Sequence, residues 1–465
     1  MSPVRGHFLL SLMAAALLLG PFPAGAETEA QPDAPARLTV SGEARLRYET
    51  LDGQFRAGGS GSDQLLLMRT LVLTEADFGP VDFGLELQDS RTYLGDEGTP
   101  LGTSVTNPLD VLQAYVRLGD LPGLAGAGSV TELTLGRQTV SIGSRRQIER
   151  VEFANALYSY TGAHLVSKSA SGDRLHAFYV VPLARFPAAA EALSDNQPSG
   201  DEEQWQRRIW GVHFMDADGL GSLVSGLSYE IFVYGFDESD TAAFQTADRS
   251  HIAPGFRLTR AEDPGQFDLD LEAALRKGTR YATSNPADTA ALKVDASMLF
   301  VSAGYTFRSP WQPRLAAEYY FASGDKDPGD ATFGQHERLF GSRRTDLNNT
   351  SIHGPLTPAN ISAPGLRLEV EPDSRTDAWL KYSAVWLASA TDSWVVARLR
   401  DPSGRSGDFV GHAIDGRVRY WLMPDRLRLE AGASLLEYGE FARNVPGGPD
   451  GDRTLFVYSQ LTYQF

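Results

Sequence analysis

Apolar and polar residues alternate along most of the chain, beginning at Leu38. Leu38, Leu46 and Tyr48 occupy one parity of the first such segment, and Arg45 and Arg47 occupy the other. A period of two places successive side chains on opposite faces of a β-strand. The same alternation recurs in segments 81–88, 267–276, 315–321, 378–386, 414–420, 427–431 and 455–465. The pattern predicts strands with one apolar and one polar face.

The segments between these strands are rich in glycine, proline, aspartate and asparagine, as in AGGSGSDQ, GDEGTPLGTSVTNP and NVPGGPDGD. Such clusters are typical of turns and loops. No long stretch shows the apolar stripe of an amphipathic helix. The chain is therefore predicted to be all-β, without an evident boundary between domains.

Two kinds of fold would show this alternation. In a soluble sandwich or propeller the apolar parity faces a core between sheets, and a core of this size would usually be divided among domains. In a transmembrane barrel the apolar parity faces lipid and the polar parity faces a wet lumen. Charges recur on one parity in strand after strand, and Tyr420 and Phe465 lie near strand ends, as in interfacial girdles. We predict a single transmembrane antiparallel β-barrel over residues 37–465.

The final segment offers a test of closure. Leu455, Val457 and Leu461 share one parity, and Phe456 and Tyr458 share the other. Because a closed barrel pairs its last strand with its first, we expect this segment to pair with residues 38–48. Its termination resembles the C-terminal signature of bacterial outer-membrane barrels, in which a terminal aromatic residue, here Phe465, is recognised by the barrel-assembly machinery.

The first 26 residues follow a different pattern. Arg5 precedes an apolar run over residues 8–19, and Ala24 and Ala26 follow that run. This order is typical of a secretory signal peptide, and the run is too short for a membrane anchor. We expect residues 1–26 to be removed and residues 27–36 to form a short N-terminal segment. The protein would then reach the outer membrane of a Gram-negative cell, surrounded by lipid and lipopolysaccharide.

Composition removes several classes of function. The net charge is −17, which argues against nucleic acid as a partner. Cysteine is absent, so disulfides, thiolate metal sites and cysteine nucleophiles are excluded. Beyond the N-terminal segment no apolar run is long enough for a membrane-spanning helix.

Three stretches resemble the alginate export family of outer-membrane proteins. They are YYFASGDKDPGD with TFGQHERLFG over residues 319–341, LGRQTVSIGSRR over 135–146, and VGHAIDGRVRYWLMPDRLRLEAGASLLEYGEF over 410–441. The resemblance implies an 18-stranded monomeric barrel whose arginine-lined lumen passes an anionic polysaccharide or oligosaccharide passively. After Asn155 the family usually carries two arginines, and this chain lacks them in LYSYTG. The resemblance therefore does not specify alginate itself.

Candidate residues of the path come from the arginines. Acidic and basic residues on the polar parity are nearly balanced, which favours cross-strand ion pairs over a uniformly basic tube. Anion selectivity would then depend on local clusters, since the planar guanidinium binds carboxylates with two hydrogen bonds. The densest cluster lies over residues 137–150, and Arg343 and Arg344 form a second. The predicted path residues are Arg45, Arg47, Arg137, Arg145, Arg146, Arg150, Arg417 and Arg419.

Other functions have weaker signals. No His-x-x-x-His or Gly-x-Ser-x-Gly motif occurs, so we predict no catalytic residue, metal or cofactor. The loop DKDPGD places Asp325, Asp327 and Asp330 in an order similar to a calcium loop, but Gly329 and His336 replace two required ligands. We expect a solvated external loop there, and contact with divalent cations stays open. The alternative function is a general or solute-specific porin that imports small nutrients.

Overall fold

The structure is a computed structural model. It describes residues 37–126, 128–241, 244–338, 340–342, 346–348 and 350–465. The predicted signal peptide, the segment 27–36 and the pair Arg343 and Arg344 therefore lie outside the described residues.

Eighteen long strands form one sheet within the described chain, and each pairs antiparallel with the next. They are β1 (Arg37–Asp52), β2 (Ser62–Asp77), β3 (Val81–Tyr93), β4 (Asn107–Leu121), β5 (Val130–Gln138), β6 (Tyr160–Lys168), β7 (Arg174–Ala184), β8 (Arg207–Asp216), β9 (Leu227–Glu238), β10 (Ser250–Arg260), β11 (Phe267–Tyr281), β12 (Ala291–Thr306), β13 (Arg314–Ala322), β14 (Ile361–Asp373), β15 (Thr376–Trp386), β16 (Phe409–Met423), β17 (Leu427–Tyr438) and β18 (Arg453–Gln464).

Short elements complete the described structure. Two-residue strands lie at Glu202–Glu203 and Thr332–Phe333, and helices lie at Ala190–Ser194 (α1) and Glu440–Asn444 (α2). None of the helices seen in this part of the chain is long and apolar enough to cross a membrane.

The sheet closes into a barrel because β18 pairs with β1. The register runs from Glu43 opposite Gln464 to Asp52 opposite Leu455. Beyond it, the Gly42 N–H donates to the Phe465 carbonyl at 2.9 Å, and the Phe465 N–H donates to the Gly42 carbonyl at 3.1 Å. The predicted 18-stranded antiparallel barrel is confirmed. The last strand pairs with the first as predicted, but its partners are residues 43–52 rather than the expected 38–48.

The two faces of the wall differ as the alternation predicts. In β1 the outward Leu38 is 66% exposed, whereas the inward Arg45 and Arg47 are buried. In β18 Val457 faces outward, whereas Phe456 and Tyr458, on the other parity, face inward. The apolar outer face suits lipid contact, and the polar residues are gathered inside.

Connections differ between the two ends of the barrel. One end, which we call the short-turn end, has connections such as 78–80, 374–375 and 424–426. The other, the long-loop end, has connections over 139–159, 185–206, 323–360 and 387–408. In bacterial outer-membrane barrels short turns face the periplasm and long loops face outside. The two ends therefore indicate which way the barrel is oriented.

The seam between β1 and β18 gives a first prediction. A Cβ atom at Gly42 would overlap the Leu71 carbonyl oxygen and the Phe465 ring, whereas a Cβ at Gly416 would find its nearest neighbours at 3.5 Å. Gly42→Val should therefore destabilise the barrel by about 1–3 kcal/mol. The measurement is the temperature at which the folded band in SDS electrophoresis converts to the unfolded one. Gly416→Ala should convert at the wild-type temperature, and equal behaviour of both variants would contradict the prediction.

Candidate functional site

Charged side chains line the inner wall, and most are paired across neighbouring strands. Arg69 of β2 contacts Glu43 of β1 at 2.6 Å, and Arg257 of β10 contacts Glu230 of β9 at 2.9 Å. Burying unpaired charges would be costly, and pairing offsets that cost. The predicted ladders of paired charges are confirmed.

The connection over residues 139–159, which we call the crossing loop, lies inside the barrel. Its backbone is held on one side by three arginines of the wall. Arg45 donates to the carbonyls of Glu152 and Ala154 at 2.9 and 2.8 Å, and Arg69 donates to the same two carbonyls at 2.8 and 2.7 Å. Arg47, fully buried, donates to the Phe153 carbonyl at 2.8 Å and stacks over the Phe153 ring. These contacts fix the loop against β1 and β2.

The buried amide of Asn155 extends this anchor. Its Nδ2 donates to the carbonyls of Met68, Arg91 and Val105, at 2.8 to 3.1 Å. Ser90 donates to the Asn155 carbonyl at 2.7 Å. The loop is thereby joined to β2 and β3 by hydrogen bonds of the buried Asn155.

The other side of the crossing loop is held by Arg146. Its guanidinium donates to Asp270 at 2.8 Å and to Glu272 at 2.7 Å, both on β11, and to Asp346 of the 323–360 loop at 2.7 Å. Burial would lower the pKa of Arg146, but the carboxylates of Asp346, Glu272 and Asp270 raise it well above its usual range. Strands β2 and β11 are nine apart in an eighteen-stranded barrel. The loop therefore spans the lumen between opposite walls.

Further loops pack on the crossing loop from the long-loop end. The Glu149 N–H donates to the Phe340 carbonyl at 3.0 Å, and the Ser342 N–H donates to the Arg145 carbonyl at 2.9 Å. Trp394, of the 387–408 loop, donates from Nε1 to the Pro355 carbonyl at 2.7 Å. Apolar side chains of these loops and of the wall form one buried cluster. The long-loop half of the lumen is thus largely filled by packed protein.

A charged cavity lies between the crossing loop and the short-turn end. We call it the arginine vestibule; its volume is about 240 Å³. It is lined by Arg45, Arg69, Arg417, Arg419, Arg428, Glu43, Glu152, Glu430, Phe153, Gln460 and Gln464. A second cavity of about 360 Å³ shares Arg417 and Arg419 and adds Arg314, Glu369, Asp377 and Trp379 among others. The two arginines thus link both cavities.

Arg417 and Arg419 share a single carboxylate. Arg417 Nη2 lies 2.9 Å from Asp377 Oδ1, and Arg419 Nε lies 2.9 Å from Asp377 Oδ2. The nearby Arg428 lies 3.8 Å from Glu430, whose carboxylate also accepts the Tyr458 hydroxyl. The lining of the vestibule as a whole has five guanidinium groups and three carboxylates. A ligand carboxylate could accept hydrogen bonds from the remaining N–H groups.

The predicted path residues occupy different places in the structure. Arg45, Arg47 and Arg146 are buried and hold the crossing loop. Arg150 pairs with Glu86 of β3 at 3.0 Å, and Arg145, 52% exposed, lies 3.9 Å from Glu149. Arg417 and Arg419 line the two cavities, as described above.

Arg137 departs from the prediction. It lies two residues after Leu135, which is 41% exposed on the outer face, and it pairs with Glu203 at 3.0 Å and Asp110 at 3.9 Å. Its neighbour Gln138 is buried on the inner side. Arg137 therefore faces away from the lumen, because neighbouring residues in a strand point to opposite sides.

Sequence reasoning missed Arg69, Arg428 and Glu152 as residues of the vestibule. Arg428 could have been found, since the hairpin of β16 and β17 sets it near Arg417 and Arg419 on the polar parity. No sequence pattern marks Glu152 as a residue of the vestibule, because its position depends on a loop that folds into the barrel. Across the described residues, no group of three or more histidine, aspartate or glutamate side chains is arranged to hold a metal ion.

Comparisons with known proteins agree with this architecture. The family model described as alginate export matches residues 36–455. Among solved structures, OccK2 (OpdF) of Pseudomonas aeruginosa is similar at 13% identity and TM-score 0.56, over 92% of this chain and 97% of that chain. OccK2 in complex with glucuronate gives 13% identity and TM-score 0.54, over 92% and 98%. A BenF-like porin from Pseudomonas fluorescens Pf-5 gives 12% identity and TM-score 0.54, over 92% and 98%. No curated protein matches the chain.

The anchor of the crossing loop gives a second prediction. Arg146→Met removes the cation from three carboxylates, which should cost about 3–5 kcal/mol and release the loop from β11. We expect larger and noisier single-channel conductance in planar bilayers. Arg145→Met is the matched control, because Arg145 is exposed and makes only one long ion pair, a contact with little effect on stability. Wild-type conductance and noise in both variants would show that Arg146 does not hold the loop.

Proposed function

The chain belongs to the alginate export family, and we propose that it lets an anionic polysaccharide or oligosaccharide pass through its lumen. The family membership and the porin-like fold of the chain support a channel rather than an enzyme. The channel would lie in the outer membrane, in contact with lipid and lipopolysaccharide. The observation that supports an anionic substrate is the pair Arg417 and Arg419, which lines both cavities and shares the one carboxylate of Asp377.

The chemistry of the vestibule suits a sugar acid. Guanidinium groups bind carboxylates through two parallel hydrogen bonds, and hydroxyl groups can bond the neighbouring Gln460 and Gln464. Low-dielectric walls strengthen the local field and raise the concentration of anions near the path. Passage also requires that each anion leave easily, so binding must be weak or spread over several sites. Arg314 in the adjoining cavity would offer the next guanidinium.

A solute-specific porin is the second candidate. The packed loops of the long-loop half favour it, because they leave cavities of about 240 and 360 Å³, sizes that suit a small ligand rather than a chain. OccK2, which has been solved in complex with glucuronate, has a similar fold. On this reading the arginine vestibule would take single sugar acids or similar small anions, and the route would be import.

Assembly and oligomeric state belong to the proposal as well. All barrel strands in the described residues come from one chain and close on themselves through β1 and β18, which is compatible with a monomer. We propose that β18, with Phe465 after it, is the segment recognised by the barrel-assembly machinery. The expected path residues of the lumen are Arg417 and Arg419, with Arg45 at the crossing loop.

A third prediction tests the anionic path. Arg419→Gln should lower the anion-to-cation permeability ratio and raise the trigalacturonate concentration for half-block about tenfold, as expected for one lost charge-assisted hydrogen bond. Arg117→Gln is the matched control: Arg117 and Arg419 are both inward-facing and 31% exposed, but Arg117 contacts Glu75 and Asp82 on another wall. Reversal potentials and block are measured in planar bilayers.

The same measurement separates the two candidates. Block by long oligogalacturonates added from the short-turn side supports the polysaccharide channel, whereas block and permeation by monomeric sugar acids alone supports the porin. An anion-to-cation permeability ratio near unity, with no block by any sugar acid, would overturn both the polysaccharide channel and the porin.

A further inference from the structure

The crossing loop brings a carboxylate into the arginine vestibule. Glu152 is an exposed residue of that loop, and it lines the cavity together with Arg417, Arg419 and Arg428. Among the residues that the structure describes, its carboxylate has no ion pair within 4.0 Å and no hydrogen bond. The other two carboxylates of the cavity, Glu43 and Glu430, are paired with Arg69 and Arg428, whereas packing or hydrogen bonding does not account for the side chain of Glu152.

The backbone at Glu152 is fixed independently of its side chain. Its carbonyl accepts from Arg45 at 2.9 Å and from Arg69 at 2.8 Å, and the next carbonyl accepts from Arg47 at 2.8 Å. The preceding Val151 has φ of 58°, a left-handed conformation that is unfavourable for a β-branched residue. Such strain persists where surrounding contacts over-determine the backbone. The loop therefore cannot easily withdraw Glu152 from the vestibule.

An acid in this position changes what the arginines can do. A ligand carboxylate in the vestibule experiences attraction from the guanidinium groups and repulsion from Glu152 at short range. We propose that Glu152 is a specificity-determining residue that weakens the hold of the vestibule on anionic sugars, so that they leave as readily as they enter. This inference rests on the proposed function, since it assumes that sugar acids use the vestibule. It assigns the loop a second role besides narrowing the lumen.

The test compares two acids of the lumen. Glu152→Gln removes one charge inside the vestibule, and Glu132→Gln removes one charge from the inward parity of β5, outside it. The probe is trigalacturonate in planar bilayers, with half-block concentration and block duration as readouts. Glu152→Gln should lower the half-block concentration about threefold to tenfold, as expected for one charge at short range in a partly screened site, and should lengthen the blocks in proportion. Glu132→Gln should leave the half-block concentration and the block duration near their wild-type values.

Two further measurements keep the result interpretable. The heat-dependent mobility shift in SDS shows that each variant has folded, and Glu152→Asp should keep most of the wild-type behaviour because it keeps the charge. If Glu152→Gln and Glu132→Gln change block equally, or neither changes it, the inference is overturned. If Arg419→Gln still weakens block in that case, the proposed function stands without this inference. A wild-type channel that no sugar acid blocks would instead overturn the proposed function.

Discussion

Every backbone N–H and C=O group of the wall must find a partner within the protein, because hydrocarbon offers none. The pairing of β1 with β18 satisfies this constraint by removing the two free edges of the sheet. Closure of the barrel in turn determines where charged and polar side chains can lie. Outward side chains must be apolar, so charged and polar groups are confined to the inner parity or the rims. The site of function is therefore inside the barrel, where loops have room to fold.

Some arginines of the inner wall hold the structure together and others line the cavities, and the number of arginines in the sequence does not distinguish the two groups. Arg45, Arg47 and Arg146 are buried, and each donates hydrogen bonds to the backbone of the crossing loop or to carboxylates. A buried guanidinium without such partners would be costly, so these residues are fixed parts of the structure. Arg417 and Arg419 retain exposure and share one carboxylate. Fewer arginines are therefore available to the proposed anion path than the composition indicates.

Alternation in the sequence predicted the strands whose inner face is polar. It failed for a strand whose inner face packs against loops that fill the lumen. The eight alternating segments lie in strands, with only Phe465 beyond the end of β18, and in most of them the inner parity is polar. Strand β2 has no such alternation, because Leu65 and Leu67 face inward and pack with Val105 and the infolded Ile352. Arg69 was missed for that reason.

The candidate site was less predictable than the wall. Neighbouring Arg145 and Arg146 look alike in sequence, yet one is exposed and the other is buried among three carboxylates from distant segments. Only the tertiary path of two loops distinguishes them. The outward placement of Arg137 was within reach, because Leu135 on the same parity is apolar.

The crossing loop couples the width of the lumen to its charge. Arg45 and Arg69 line the vestibule, and the same guanidinium groups donate to the loop backbone at Glu152 and Ala154. Moving the loop would free these donors for an anion and at the same time remove Glu152 from the cavity. A wider lumen would therefore also be a more cationic one. Because Arg417 and Arg419 lie on β16 and form their described ion pairs with Asp377 rather than with the loop, the contribution to selectivity that we propose for them persists in either arrangement. On the proposed anion path, substitutions on β16 would therefore change selectivity alone, whereas substitutions on β1 and β2 would change selectivity and the constriction together.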